Sequence, residues 1–81
     1  MDREEIKKRV VEVTARELKK EPKHIKDEHH FAYDLGADSL KSIELVAAFE
    51  EEFDLDLDES EALKVQTVGG AVDFFVKLLP G

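Results

Sequence analysis

The chain has no cysteine and no tryptophan, one methionine, one tyrosine and two prolines among 81 residues. Without a thiol there is no disulfide staple, no thiolate nucleophile and no Cys-based zinc site. Nothing in it requires an oxidising compartment. Long apolar runs are missing as well. No stretch approaches the ~20 residues needed to span a bilayer. The N-terminal MDREEIKKRV is charged from Asp2 onward, unlike a secretory signal. The expectation is a cytoplasmic protein without membrane insertion. Positive charge is also scarce, with 12 Lys and Arg against 20 Asp and Glu and a net charge of −8. A nucleic-acid binder normally carries a basic face, so nucleic acid is not an expected partner.

What is present is a globular composition, 42% hydrophobic and 40% charged. The length suits one small domain over residues 1–81. The charge is uneven. Residues 34–61 carry eleven acidic groups against the single Lys41, while residues 1–30 hold nine basic and eight acidic groups. Such an acidic run is either a solvated face or a docking surface for basic partners.

Periodicity predicts helices. From Arg3 to Lys20, Ile6, Val10 and Val13 recur on one face, widened by Val11 and Leu18. Asp2, Glu4 and Glu5 at the start and Lys19 and Lys20 at the end suit the helix dipole, and Pro22 is read as the stop. Residues 21–37 show no period, with Ile25, Phe31 and Leu35 as anchors and Gly36 at a bend. Asp38 is a good N-cap for a helix from Ser39 to Phe53. Its inner face is read as Leu40, Ile43, Ala47 and Phe53, extended by Leu45, Val46 and Phe49; Glu44, Glu50, Glu51 and Glu52 lie outside. A short helix spans Glu59 to Lys64. Thr67 caps a last helix on which Val68, Val72, Phe75 and Leu79 repeat, closed by Pro80 and Gly81. Gly69 and Gly70 in its first turn predict fraying. The fold class expected is all-α: a small four-helix bundle of three main helices and one short one, with a long loop between the first two.

The informative segment is Asp34-Leu35-Gly36-Ala37-Asp38-Ser39-Leu40. It sets a serine in the first turn of an acidic helix, where free N–H groups and the helix dipole favour a phosphate. Ser39 is therefore either an ordinary first-turn serine or a seat for a phosphodiester. DLGADSL, followed by SIELVAAFEEEFDLDL and ESEALKVQTV, resembles the acyl carrier proteins of the phosphopantetheine-binding carrier family, closely over residues 31–76. The resemblance implies a four-helix bundle that is not itself an enzyme and acts as a monomer. It implies that Ser39 receives 4′-phosphopantetheine from a phosphopantetheinyl transferase, with Asp38 and Leu40 beside it. The arm would carry acyl chains as thioesters among enzymes of fatty acid, lipid or polyketide synthesis. Glu44, Glu50 and Glu51 would meet basic docking patches on those enzymes. Leu40, Ile43, Ala47, Phe49, Ala62, Val65 and Val72 would line an acyl pocket.

Lys41, Asp58 and Gly69-Gly70 depart from the common pattern of that family and point to a specialised carrier outside primary fatty acid synthesis as one alternative. An unmodified helical interaction module is another. Asp54, Asp56 and Asp58 open like a calcium loop, but Glu59 and Val65 stand where that loop needs Gly and Glu. His24, His29 and His30 lack companion ligands at useful spacing and read as exposed, so no metal is expected. GADSL is not the GxSxG of a hydrolase and follows no strand.

Overall fold

Four side chains start the four helices. The computed structural model describes residues 1–79, and the expected chain end at Pro80 and Gly81 lies outside them. Asp2 accepts the Glu5 N–H at 2.8 Å and opens α1, Arg3–Leu18. Asp38 accepts the Lys41 N–H at 2.9 Å and opens α2, Ser39–Phe53. Asp58 accepts from Glu61 and opens α3, Glu59–Leu63; Thr67 accepts from Gly70 and opens α4, Val68–Leu78. Each cap satisfies one of the N–H groups that a helix start leaves unpaired. Asp58, one of the departures from the family pattern, thus has a structural task.

The bundle is all-α among the described residues, apart from one isolated bridge between His30 and Thr67. α1 packs on both α2 and α4, and α3 rests on α2. Ile6, Val10 and Val13 of α1 are fully buried as the period predicts, as are Val68, Val72 and Phe75 of α4. Phe49 and Phe53 close on Phe75, with ring centroids 5.2 and 4.5 Å away.

Three local expectations are corrected. The first concerns α1. It ends at Leu18, two residues before Lys20, because Lys19 turns left-handed (φ 57°) and the N–H groups of Lys19 and Lys20 both return to the Ala15 carbonyl. The stop is that turn, and Pro22 begins a separate 3-10 turn, Pro22–His24. The second concerns α2. Its buried face is Leu45, Phe49 and Phe53, whereas Leu40 and Ile43 are 64% and 44% exposed and Ala47 is exposed too. Two apolar stripes run side by side on this helix. The one with two phenyl rings turns inward because it buries the larger apolar area. The third concerns α4. Its glycine-rich start is tied down: Val68 N–H donates to His29 O at 3.0 Å and Gly69 N–H to Asp27 O at 2.8 Å. A Cβ on Gly69 would stand 3.2 Å from that same carbonyl oxygen. The glycine permits the close approach that holds the loop against α4.

The loop between α1 and α2 is anchored by Ile25, Phe31 and Leu35, as expected, and also by Ala37. Gly36 takes φ 77° at its bend, a conformation suited to glycine. Of the eleven acidic groups in residues 34–61, Glu44, Glu52 and Glu61 meet a cation, in Lys41, Arg9 and Lys64. These partly exposed pairs are worth at most ~1 kcal/mol each. Repulsion among the rest is left standing, and a compact state concentrates it. Added salt, and more so millimolar Mg²⁺, is therefore expected to raise the melting temperature. Thermal scans that stay flat across ionic strength would contradict this.

Candidate functional site

Ser39 is the first residue of α2 and is exposed. Among the described residues no hydrogen bond engages its hydroxyl. Asp38 before it is spent on the cap, and among the described residues the N–H groups of Ser39 and Leu40 have no partner at the positive end of a 15-residue helix. A phosphodiester on the Ser39 Oγ fits this position, since its charge and acceptors match what the helix start offers. The preceding loop is rigidly made. Gly36 N–H donates to Ala32 O at 3.1 Å and Ala37 N–H to Phe31 O at 2.8 Å, so residues 31–37 close on themselves over buried Phe31, Leu35 and Ala37. Leu40, next to Ser39, stands in solvent at the rim. Lys41 pairs with Glu44 at 3.4 Å, one turn along its own helix.

A cavity of about 60 Å³ lies between α2, α3 and α4. Phe49, Ala62 and Val65, three of the residues named for an acyl pocket, line it. Ile43, Ala47 and Leu40 do not, because they belong to the outer stripe of α2. Val72 does not either; it is buried in the core away from the opening. The lining residues that sequence reasoning missed include Phe31, Ser42, Leu45, Val46, Leu57 and Phe75. Leu45 and Val46 were legible only as extensions of an apolar face. Ser42 gave no signal, being polar, yet it carries meaning here. It lies one turn after Ser39, on the same side of the helix, so the cavity reaches the turn that follows the serine.

The acidic side chains divide. Glu44 and Glu51 are exposed on α2. Glu50 is half-buried, and its carboxylate accepts the Leu57 N–H at 2.8 Å, closing the turn after α2. That task needed a contact seven residues away and was not visible in the pattern. Asp54, Asp56 and Asp58 form no metal cluster; no group of three potential ligands exists among the described residues. His24 is exposed as expected, but His29 and His30 are half-buried and hydrogen-bonded.

The family described as phosphopantetheine attachment site matches residues 8–75, most of the chain and all of the site just described. The chain belongs to this family. It is a phosphopantetheine carrier of the acyl carrier protein type, and its prosthetic group is 4′-phosphopantetheine. The carrier's match begins inside α1 and ends in α4, so it takes in the loop, the serine and all three walls of the cavity. No described helix of the carrier is long and apolar enough to cross a membrane.

Proposed function

We propose that Ser39 is the attachment point and that the protein is a carrier, not a catalyst, working in the cytoplasm. It would pass acyl thioesters among enzymes of fatty acid, lipid or polyketide synthesis. The observation that supports this best is the conjunction at the start of α2: an exposed serine hydroxyl on a capped helix, one turn before a cavity-lining residue. When bound, the arm supplies the thiol that holds the acyl chain as a thioester. The chain's own residues do the rest. The α2 N-terminus holds the phosphodiester. Phe49, Ala62 and Val65 keep water from the first methylenes, each worth ~0.8 kcal/mol when buried. A cavity of about 60 Å³ has room for about two water-sized groups, so a longer chain must push rings or α3 aside. α3 buries none of its residues, which suits such opening. Exposed Glu44 and Glu51 offer charge to basic patches on a phosphopantetheinyl transferase and on the acyl-handling enzymes, and Glu50 adds its field from within the turn. Loading with acyl-coenzyme A and a promiscuous transferase, then presentation to a ketosynthase and an acyltransferase, tests this reading. Transfer of the acyl group supports it. A loaded protein that yields its chain to neither class of enzyme contradicts it.

Lys41 favours a specialised role within this reading. Its ammonium neutralises Glu44 at the rim of the site. The pair itself is worth only ~0.2–0.5 kcal/mol, but a rim charge governs encounter with partners. Lys41→Asp is expected to speed turnover by a generic ketosynthase at low salt, with the gain lost at high salt. Unchanged rates at low salt would remove Lys41 as a selectivity element.

A further inference from the structure

We propose that His30 is a positioning residue for the Ser39 site, holding the loop that presents the serine and tying it to the wall of the cavity. Its ring works from both nitrogens. Nδ1 accepts the N–H of Ala32 at 3.2 Å and of Tyr33 at 3.3 Å. An accepting Nδ1 leaves the proton on Nε2, which donates to the Gln66 side-chain oxygen at 3.1 Å; this tautomer is assigned from the network. The ring also stacks on Tyr33, centroids 4.3 Å apart. The backbone of the same residue closes the turn. His30 N–H donates to the Asp34 carboxylate at 2.7 Å, and His30 O accepts from Asp34 and Leu35.

Capping such a turn ordinarily needs only a short acceptor such as Ser, Asn or Asp. Those side chains end too soon to meet Gln66 as well. The imidazole does both. Phe31 N–H reaches the Gln66 carbonyl at 2.8 Å, so two consecutive loop residues grip one residue of the α3–α4 connection. Gln66 directly follows Val65, which lines the cavity with Ala62 and Leu63 of α3. α3 has no buried residue of its own, so its placement depends on such ties. A loop released at His30 shifts the base on which Asp38 and Ser39 stand. A protein whose competent arrangement is only partly populated binds its partner more weakly by that fraction. His30 thus acts through the loop and touches neither arm nor acyl chain.

This inference rests on Ser39 being the attachment point, and its test separates the two. Amide exchange in the unmodified protein is measured first for wild type, His30→Ala, His30→Asn, His30→Phe and Gln66→Leu. Transferase kinetics with coenzyme A follow for the His30 series. His30→Ala is expected to speed exchange at Ala32 and Tyr33. It should raise the KM for the carrier about fivefold, the weight of one net hydrogen bond, with little change in kcat. His30→Asn, whose amide oxygen accepts the same N–H groups but ends short of Gln66, should restore slow exchange at Ala32 and Tyr33 and bring the KM part of the way back. His30→Phe keeps the stack without the acceptor and should behave like His30→Ala. Gln66→Leu should speed exchange in α3. Wild-type exchange and KM in His30→Ala, or rescue by His30→Phe, would overturn the proposal. Should His30→Ala not fold, wild-type exchange and KM in His30→Phe would overturn it equally. A wild-type protein that gains no arm at Ser39 would instead sink the functional reading and leave the loop measurement standing.

Discussion

Ser39→Ala is expected to take up no phosphopantetheine while keeping its fold. The loss should be complete, because under the proposed assignment the hydroxyl is the atom to which the arm is joined. The chain has two other serines, and neither replaces it. Ser42 is half-buried in the cavity lining, and Ser60 is in the five-residue α3, far along the chain from the loop that frames Ser39. Stability should hardly move. The cap is Asp38, and the Ser39 side chain is exposed, so alanine costs at most a few tenths of a kcal/mol and improves helix propensity. Intact mass after incubation with coenzyme A and transferase, with a thermal scan alongside, checks both halves. A gain of one arm by the alanine variant would be fatal to the assignment.

Phe75→Ala should remove a large share of the protein's stability. Phe75 is 2% exposed and meets the rings of Phe49, Phe53 and Phe74. Removing a buried phenyl costs ~3–5 kcal/mol, against a total of ~5–15 kcal/mol for a native domain. At ~4–8 °C per kcal/mol for a domain of this size, the melting temperature should fall by at least ~12 °C. Urea unfolding gives the same comparison. A drop below ~5 °C would mean that α2 and α4 are held together by something other than this aromatic cluster.

Much of the fold was legible because its signals are local. Asp38 and Thr67 announce helix starts by residue type, and the buried residues of α1 and α4 recur at helical spacing in the sequence. The exposed serine at the start of α2 was legible for the same reason: DLGADSL is contiguous. The misreadings share a different origin. On α2 two stripes overlap and periodicity does not choose between them; the one bearing Phe49 and Phe53 turns inward, against Phe75 of another helix. Gly69 looked like a weakness until Asp27, 42 residues earlier, came against it. Glu50 and His30 looked like exposed side chains because Leu57 and Gln66 do not stand beside them in the sequence. Periodicity reports which residues share a face; it does not report what that face meets.

The central claim is that the arm is joined to Ser39 and nowhere else. Fragmentation mass spectrometry of the wild-type protein, after loading with coenzyme A and a promiscuous transferase, tests it most directly. One arm per chain is expected, carried on the peptide that contains Ser39 and localised to its Oγ. An arm on Ser42 or Ser60, or a chain that stays unmodified under conditions that load another carrier, would contradict it.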